Sequence, residues 1–208
     1  ADDLEFYGKI HFERHEKDAD CLRLGADIRR ITAAGADGLH IDIMDGEFVP
    51  LFGFNNIWIQ QIGAASTLPL DLHIMSGESA RILERLDLSR VVSAAVHVES
   101  GPGSGLQTVF KLMRKRGISC GLAISPRTSI EKLEPYLEEI DGILVMSCQP
   151  GVQNAGFLED TYSRIREIKG MLRDRPECYI GVDGGLDLEK AERCIKCGAS
   201  RAVIGRYL

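Results

Sequence analysis

The feature that most limits how this chain can fold is an alternation. Short apolar runs recur along it, and a helical pattern separates almost every pair of them. Leu70–Ile74, Arg90–Val98, Cys120–Ile124, Gly142–Met146, Cys178–Val182 and Arg201–Ile204 read as strands, preceded by one over 38–44 and one around Lys9–Glu13. Helical periodicity runs over 19–34, 56–66, 79–88, 105–116, 130–137, 160–172 and 188–197. Gly35, Gly117 and Gly198 stand where a left-handed residue would end a helix. Asp187 stands where an acceptor would cap one, and Ser76 or Ser79 and Thr128 or Ser129 lie near two other starts.

Helices between successive strands require long crossovers, and crossovers require a parallel sheet. Eight such units are the number that closes on itself with the helices outside, the TIM (β/α)8 barrel of the α/β class. An open doubly wound sheet is the competing topology, but no GxGxxG follows an early strand. No linker, repeat or low-complexity tract breaks the pattern, which predicts a single domain over 1–208. The sequence reaches Leu208 directly after the eighth strand, so the eighth helix is expected to be missing or trimmed.

With 208 residues, 44% of them hydrophobic and 27% charged, the chain can bury one sizeable core. A net charge of -6 argues against nucleic acid or an anionic membrane as partner. It leaves room for a small anionic substrate, because backbone amides bind phosphate whatever the global sign. No charged-then-apolar leader is visible, and no apolar run approaches the roughly 20 residues that span a bilayer. Six scattered cysteines do not make a disulfide framework. Cys194 and Cys197 form a CxxC at the end of a helical pattern, with no second pair and no nearby histidine, so neither zinc nor redox chemistry is expected of them. A reducing, cytoplasmic compartment is the expectation.

The chemistry collects at strand ends. From Leu39 to Met44 apolar and polar residues alternate, so His40, Asp42 and Met44 share one face and Leu39, Ile41 and Ile43 the other. Buried imidazole and carboxylate groups cost several kcal/mol unless they are paired or bound to an ion. A His–Asp pair stapling the strand end and a metal or catalytic site are both compatible with this stretch. In a TIM barrel the functional side chains lie at the C-terminal ends of the strands. His40 and Asp42 end the second strand, His73 the third and His97 the fourth, and Asp183 closes the seventh. His40, Asp42, His73 and Asp183 supply two imidazoles and two carboxylates at one mouth. That set suits one divalent metal ion such as zinc, iron(II), manganese or cobalt; a hydrogen-bonded polar network is the alternative.

Gly184 and Gly185 follow the seventh strand, and Gly205 and Arg206 the eighth. Many TIM barrels hold a substrate phosphate in those two loops, where glycine lets the backbone approach the oxyanion. Met44, Met75 and Met146, also at strand ends, would give an apolar floor under the reacting carbons.

These residues carry a resemblance. The chain resembles the ribulose-phosphate 3-epimerase family through His40-Ile-Asp42-Ile-Met44-Asp45-Gly-Glu-Phe-Val-Pro50, Asp71-Leu-His73-Ile-Met75 and His97-Val-Glu99. Gly121-Leu-Ala-Ile-Ser-Pro126-Arg-Thr128, Val145-Met146-Ser-Cys-Gln-Pro150-Gly151 and Val182-Asp183-Gly184-Gly185 extend it, in order, from about residue 19 to 208. The resemblance implies a metal-dependent TIM barrel that inverts C3 of a phosphorylated ketose, foremost D-ribulose 5-phosphate to D-xylulose 5-phosphate. It implies His40, Asp42, His73 and Asp183 as metal ligands, Asp42 and Asp183 doubling as acid and base, and a homo-oligomeric assembly.

Three departures accompany it. His15 stands where the family's first strand carries a substrate-contacting serine, and Ser125-Pro126 replaces Asn-Pro after the fifth strand. The glycine-rich loop after the sixth strand reads Gly151-Val152-Gln153-Asn154-Ala155. His15, Ser125 and Gly151 are nevertheless the substrate-binding candidates those positions offer. Another ketose phosphate such as allulose 6-phosphate is the alternative substrate, and a catalytically degenerate sugar-phosphate-binding barrel the alternative role. Related decarboxylases and synthases use an Asp-x-Lys pair, but Met44 stands two after Asp42.

Overall fold

A computed structural model describes residues 5–10, 23–101, 104–152 and 155–205. Its strands are β1 (Glu5–Ile10), β2 (Gly38–Met44), β3 (Leu70–Met75), β4 (Val91–His97), β5 (Ser119–Ile124), β6 (Gly142–Met146), β7 (Tyr179–Asp183) and β8 (Arg201–Ile204). They pair in sequence order, all parallel, and β1 closes the barrel onto β8. The helices are α1 (Leu24–Ala33), α2 (Asn56–Ala65), α3 (Ser79–Arg85), α4 (Ser104–Lys115), α5 (Thr161–Met171) and α6 (Leu188–Cys197).

Two layers of side chains follow from the strand period. Outward residues of the strands, among them Leu39, Ile41, Leu70, Leu72, Ile74, Leu122, Ile143 and Val182, are fully buried against Ile28, Ile59, Phe110, Ile165 and other helix residues. Each such aliphatic side chain contributes about 1.5–3 kcal/mol on burial. The inward residues form a second, small cluster of Ala95, Ala123, Leu144 and Met146. Below it the Arg201 guanidinium lies 3.7 Å from the Tyr179 ring centroid. A Cβ at Gly142 would fall 2.2 Å from that ring, so glycine on β6 makes room for it.

Local signals explain most element ends. Asp187 caps α6 by accepting from the Lys190 amide at 2.8 Å, and Gly198 ends it at φ +117°. Asn55 caps α2, accepting from the Ile57 and Trp58 amides. Three expectations shift. The first strand lies at Glu5–Ile10, four residues ahead of the predicted Lys9–Glu13, whose residues 11–13 are outside the described ones. The first helix is described from Leu24, so its expected start at residue 19 also lies outside. Between β5 and β6 the expected α-helix is a 3-10 helix, Ile130–Tyr136, because Pro135 has no N–H for an interior turn.

Cys194 and Cys197 are both buried on α6, and burial pushes the Cys194 thiol up to about 12. A thiol held so firmly protonated is a poor nucleophile and a poor metal ligand. No helix among the described residues is long and apolar enough to cross a membrane.

Candidate metal centre

Parallel register brings the polar strand residues together. His40 lies opposite Asp71, and Asp42 opposite His73, across β2 and β3. Asp183 ends β7, where the Ser147 amide binds its carbonyl at 2.8 Å and the Ser147 hydroxyl reaches the same oxygen. One ligand atom from each of His40, Asp42, His73 and Asp183 falls within 4.8 Å of all the others. Nε2 of His40 lies 3.4 Å from Asp42 Oδ1 and 3.8 Å from Asp183 Oδ2. Nδ1 of His73 lies 3.2 Å from Asp42 Oδ1 and 3.9 Å from Asp183 Oδ2.

These four side chains fit a metal. His40 Nε2 is completely buried and makes no hydrogen bond, although it faces two carboxylates. A buried orphan nitrogen is costly in a polar network and is what a ligand atom looks like. The opposite nitrogen, Nδ1, sits 2.6 Å from Asp71 Oδ2, and Asp71 in turn accepts from the Ser93 hydroxyl. A carboxylate there holds a proton on Nδ1 and makes Nε2 the nitrogen that faces the site.

Burial lowers the basicity of His40, but the facing carboxylates of Asp42, Asp71 and Asp183 outweigh it and raise its pKa to about 9, so an ion taking Nε2 would displace a proton held there. For His73 burial wins: its pKa falls to about 4, with the neighbouring imidazole of His97 adding to the effect. His73 is therefore a neutral imidazole, the form a metal requires.

The remaining expected site residues are distributed around the mouth. Met44 and Met75 are register partners, and Met146 is the register partner of Asp183. Gly184 and Gly185 directly follow β7, and Gly205 follows β8, its neighbour in the barrel, so the two turns lie side by side. Gly184 adopts φ +123°, and a Cβ there would meet Cys148 Sγ at 2.5 Å and the Cys148 amide at 2.9 Å. No other residue fits. Gly151, at φ +67°, presses against Val49, where a Cβ would fall 2.4 Å from the valine Cβ. That contact ties the loop after β6 to the loop after β2. Ser125 sits behind His73: its amide donates to Glu99 Oε1 at 2.9 Å, and its hydroxyl is 3.4 Å from His97 Nδ1. His15 and Arg206 lie outside the described residues.

Asp71, Ser93 and Glu99 support the ligands, a role the sequence reading does not assign them. The signal for Asp71 is nevertheless there: it alternates with His73 on an otherwise apolar strand, as His40 does with Asp42. Ser93 and Glu99 carry no such mark.

Comparison with known proteins agrees with this geometry. Residues 17–208 match the model of the ribulose-phosphate 3 epimerase family. The ribulose-phosphate 3-epimerase of Bacillus subtilis (strain 168) is 31% identical over 189 residues, 90% of this chain and 86% of that protein. Its counterpart in Chlamydia muridarum is 35% identical over 192 residues, 91% of this chain and 83% of the relative. Among solved structures, a mutant tryptophan synthase alpha-subunit from the hyperthermophile Pyrococcus furiosus superposes with a TM-score of 0.68 at 17% identity, covering 99% of this chain and 88% of that one. The orotidine 5'-monophosphate decarboxylase of Sulfolobus solfataricus gives 0.61 at 11% identity over 98% of this chain and 88% of that one. At such identities these two support the barrel fold alone.

Proposed function

The chain belongs to the ribulose-phosphate 3-epimerase family, and from that premise we propose that it is an isomerase inverting C3 of a phosphorylated ketose, foremost D-ribulose 5-phosphate to D-xylulose 5-phosphate. The observation that carries this reading is the convergence of His40, Asp42, His73 and Asp183 within 4.8 Å, with His40 Nε2 buried and unpartnered.

Inversion next to a carbonyl needs a proton removed from one face of the carbon and another delivered to the opposite face. Asp42, on β2, and Asp183, on β7, reach the mouth from different sides of the barrel. One carboxylate takes the C3 proton while the C–H electron pair moves toward the C2 carbonyl, giving an enediolate. The other, as the carboxylic acid, returns a proton to C3 from the far side, and the carbonyl re-forms. His40, Asp42, His73 and Asp183 would hold one divalent ion, of which zinc, iron(II), manganese and cobalt all suit the donor set. When bound, that ion supplies Lewis-acid stabilisation of negative charge on the substrate oxygens.

Met44, Met75 and Met146 would bound the reacting carbons on the apolar side. Gly184, Gly185 and Gly205 offer main chain to the phosphate, with Arg206, Gly151, His15 and Ser125 as further substrate contacts. The departures around His15 and the loop after Gly151 keep allulose 6-phosphate as the second candidate substrate. We read the chain as one domain, since no linker breaks its pattern, acting in a reducing, cytoplasmic compartment, as its scattered cysteines suggest, and as a homo-oligomer, as the family resemblance implies.

Elemental analysis combined with solvent deuterium exchange at C3, run across a panel of ketose phosphates, tests the proposal. A stoichiometric divalent metal and exchange with a pentulose or hexulose phosphate are expected. Metal-replete protein that exchanges none of the panel would make the degenerate barrel the better reading.

A further inference from the structure

Behind His73 runs a chain of contacts that neither ligation nor proton transfer uses. Its Nε2, turned away from Asp42 and Asp183, lies 2.9 Å from His97 Nε2. On the other side of that second ring, Nδ1 lies 2.9 Å from Glu99 Oε2. Glu99 is held in turn: its Oε1 accepts from the Ser125 amide and from the Thr128 hydroxyl. The Arg164 guanidinium fastens this turn by donating to the Ser125 and Thr128 carbonyls at 3.2 and 2.9 Å. Both imidazoles are fully buried, and Phe48 covers His97 with ring centroids 4.9 Å apart.

Two imidazole nitrogens 2.9 Å apart can hydrogen-bond only if one carries hydrogen and the other does not. A carboxylate can only accept, and one stands at each end: Asp42 Oδ1 lies 3.2 Å from His73 Nδ1, and Glu99 Oε2 lies 2.9 Å from His97 Nδ1. Glu99, the nearer and itself held by Ser125 and Thr128, sets the order, whereas Asp42 is a carboxylate the ion would engage. Glu99 takes the Nδ1–H of His97, which makes His97 Nε2 an acceptor. His73 must then place its hydrogen on Nε2, and its Nδ1 lone pair faces Asp42 and Asp183. We propose that His97 and Glu99 form a positioning relay that sets the tautomer of His73 and so presents Nδ1 to the metal. The relay rests on the reading of this cluster as a metal centre. It moves no proton during turnover. His40 receives the same service directly from Asp71, whereas His73, one strand further round, receives it through an intervening ring.

Glu99→Gln tests the relay. The Ser125 amide holds the carbonyl end of the glutamine, which turns the NH2 toward His97 Nδ1. That reverses the chain, and the His73 hydrogen moves to Nδ1, where it blocks the ligand position. In metal-free protein labelled with 15N-histidine, long-range 1H–15N correlation is expected to report Nε2–H on His73 in the wild type and Nδ1–H in Glu99→Gln. Titration with Co2+ is expected to show affinity falling about 10–100-fold, the usual cost of losing an outer partner of a ligand.

As a second arm, His97→Gln, which keeps an acceptor for His73, should retain more Co2+ affinity than His97→Leu, which keeps none. An unchanged His73 tautomer in Glu99→Gln overturns the relay, as does equal Co2+ affinity of the two His97 variants. Failure of the wild type to bind Co2+ overturns the metal reading itself, a result distinct from a wild type that binds metal with the His73 hydrogen already on Nδ1.

Discussion

The two sides of the barrel mouth are made from different material. On the β2–β4 side the functional groups are side chains, all deeply buried, and each ligand imidazole has a partner behind it: Asp71 for His40 and His97 for His73. On the β6–β8 side, Asp183 apart, the features are main chain: two turns at Gly184 and Gly205, and a loop that rests on Val49 through Gly151. The difference follows from what each side would hold. A metal needs fixed lone pairs, which rigid strands present well, whereas a phosphate is satisfied by amides that only need room to approach. The side-chain half keeps every motif residue of the resemblance on β2 to β4, while the altered loop after β6 belongs to the main-chain half and Ser125, after β5, packs against Glu99 and His97. Altering either half separates the two roles.

The largest effect is expected at Asp183, where the halves meet. Asp183→Asn should lower kcat by about 10^2–10^4-fold, the scale of a lost acid–base group. Circular dichroism and the thermal midpoint should stay close to the wild type. An unfolded variant would instead make Asp183 a structural member of a polar network.

Removing metal comes next. Stripping the ion leaves buried carboxylates and imidazoles facing one another without it, and loss of a ligand present at about 100 times its Kd costs about 2.7 kcal/mol. For a chain of this size that corresponds to a fall in Tm of about 5–10 °C. Calorimetry with and without chelator measures it; an unchanged Tm would count against a resident ion.

Gly184→Ala probes the main-chain half. Its φ and its approach to Cys148 both oppose a side chain, so the cost should be about 1–3 kcal/mol. In a soluble variant KM should rise more than kcat falls. The double variant with Cys148→Ala should recover the share due to the sulfur. Equal loss of kcat at saturating substrate would show that this turn serves the chemistry rather than binding.

The effect that appears only in acid, and is absent at neutral pH, concerns stability. Burial raises the Glu99 pKa, but hydrogen bonds from His97, Thr128 and the Ser125 amide outweigh it and hold the carboxyl down at about 2, against its ordinary 4.5. The folded state therefore binds this proton less readily than the unfolded one. The stability it contributes is complete above pH 4.5 and is lost as pH falls toward 2. Glu99→Gln should flatten the stability curve in that window and leave its slope at neutral pH unchanged, as urea unfolding at stepped pH can check.

Much of the site is legible in the sequence because strands write their period into it. Polar residues at every second position of β2 mark His40 and Asp42, and Asp71 carries the same mark on β3. The cap at Asp187 and the stop at Gly198 are equally local and equally readable. The first strand is not. Around Lys9–Glu13 apolar and charged residues mix without a clean period, and the strand is fixed by pairing with β2 and β8, which lie far along the chain. The 3-10 helix after β5 reads as α because the apolar spacing of Ile130, Leu133 and Leu137 suits both, and Pro135 decides between them.

The sequence by itself determined the number and order of the strands, the barrel they close and the identity of the four candidate ligands, since alternation and motif are properties of neighbouring residues. Only the tertiary structure decided which nitrogen of each histidine faces the centre. That choice is made by hydrogen bonds across strands, from Asp71 to His40 and from Glu99 through His97 to His73. These partners lie on adjacent strands or in the turn beyond, and closure of the barrel brings them within about 3 Å of one another.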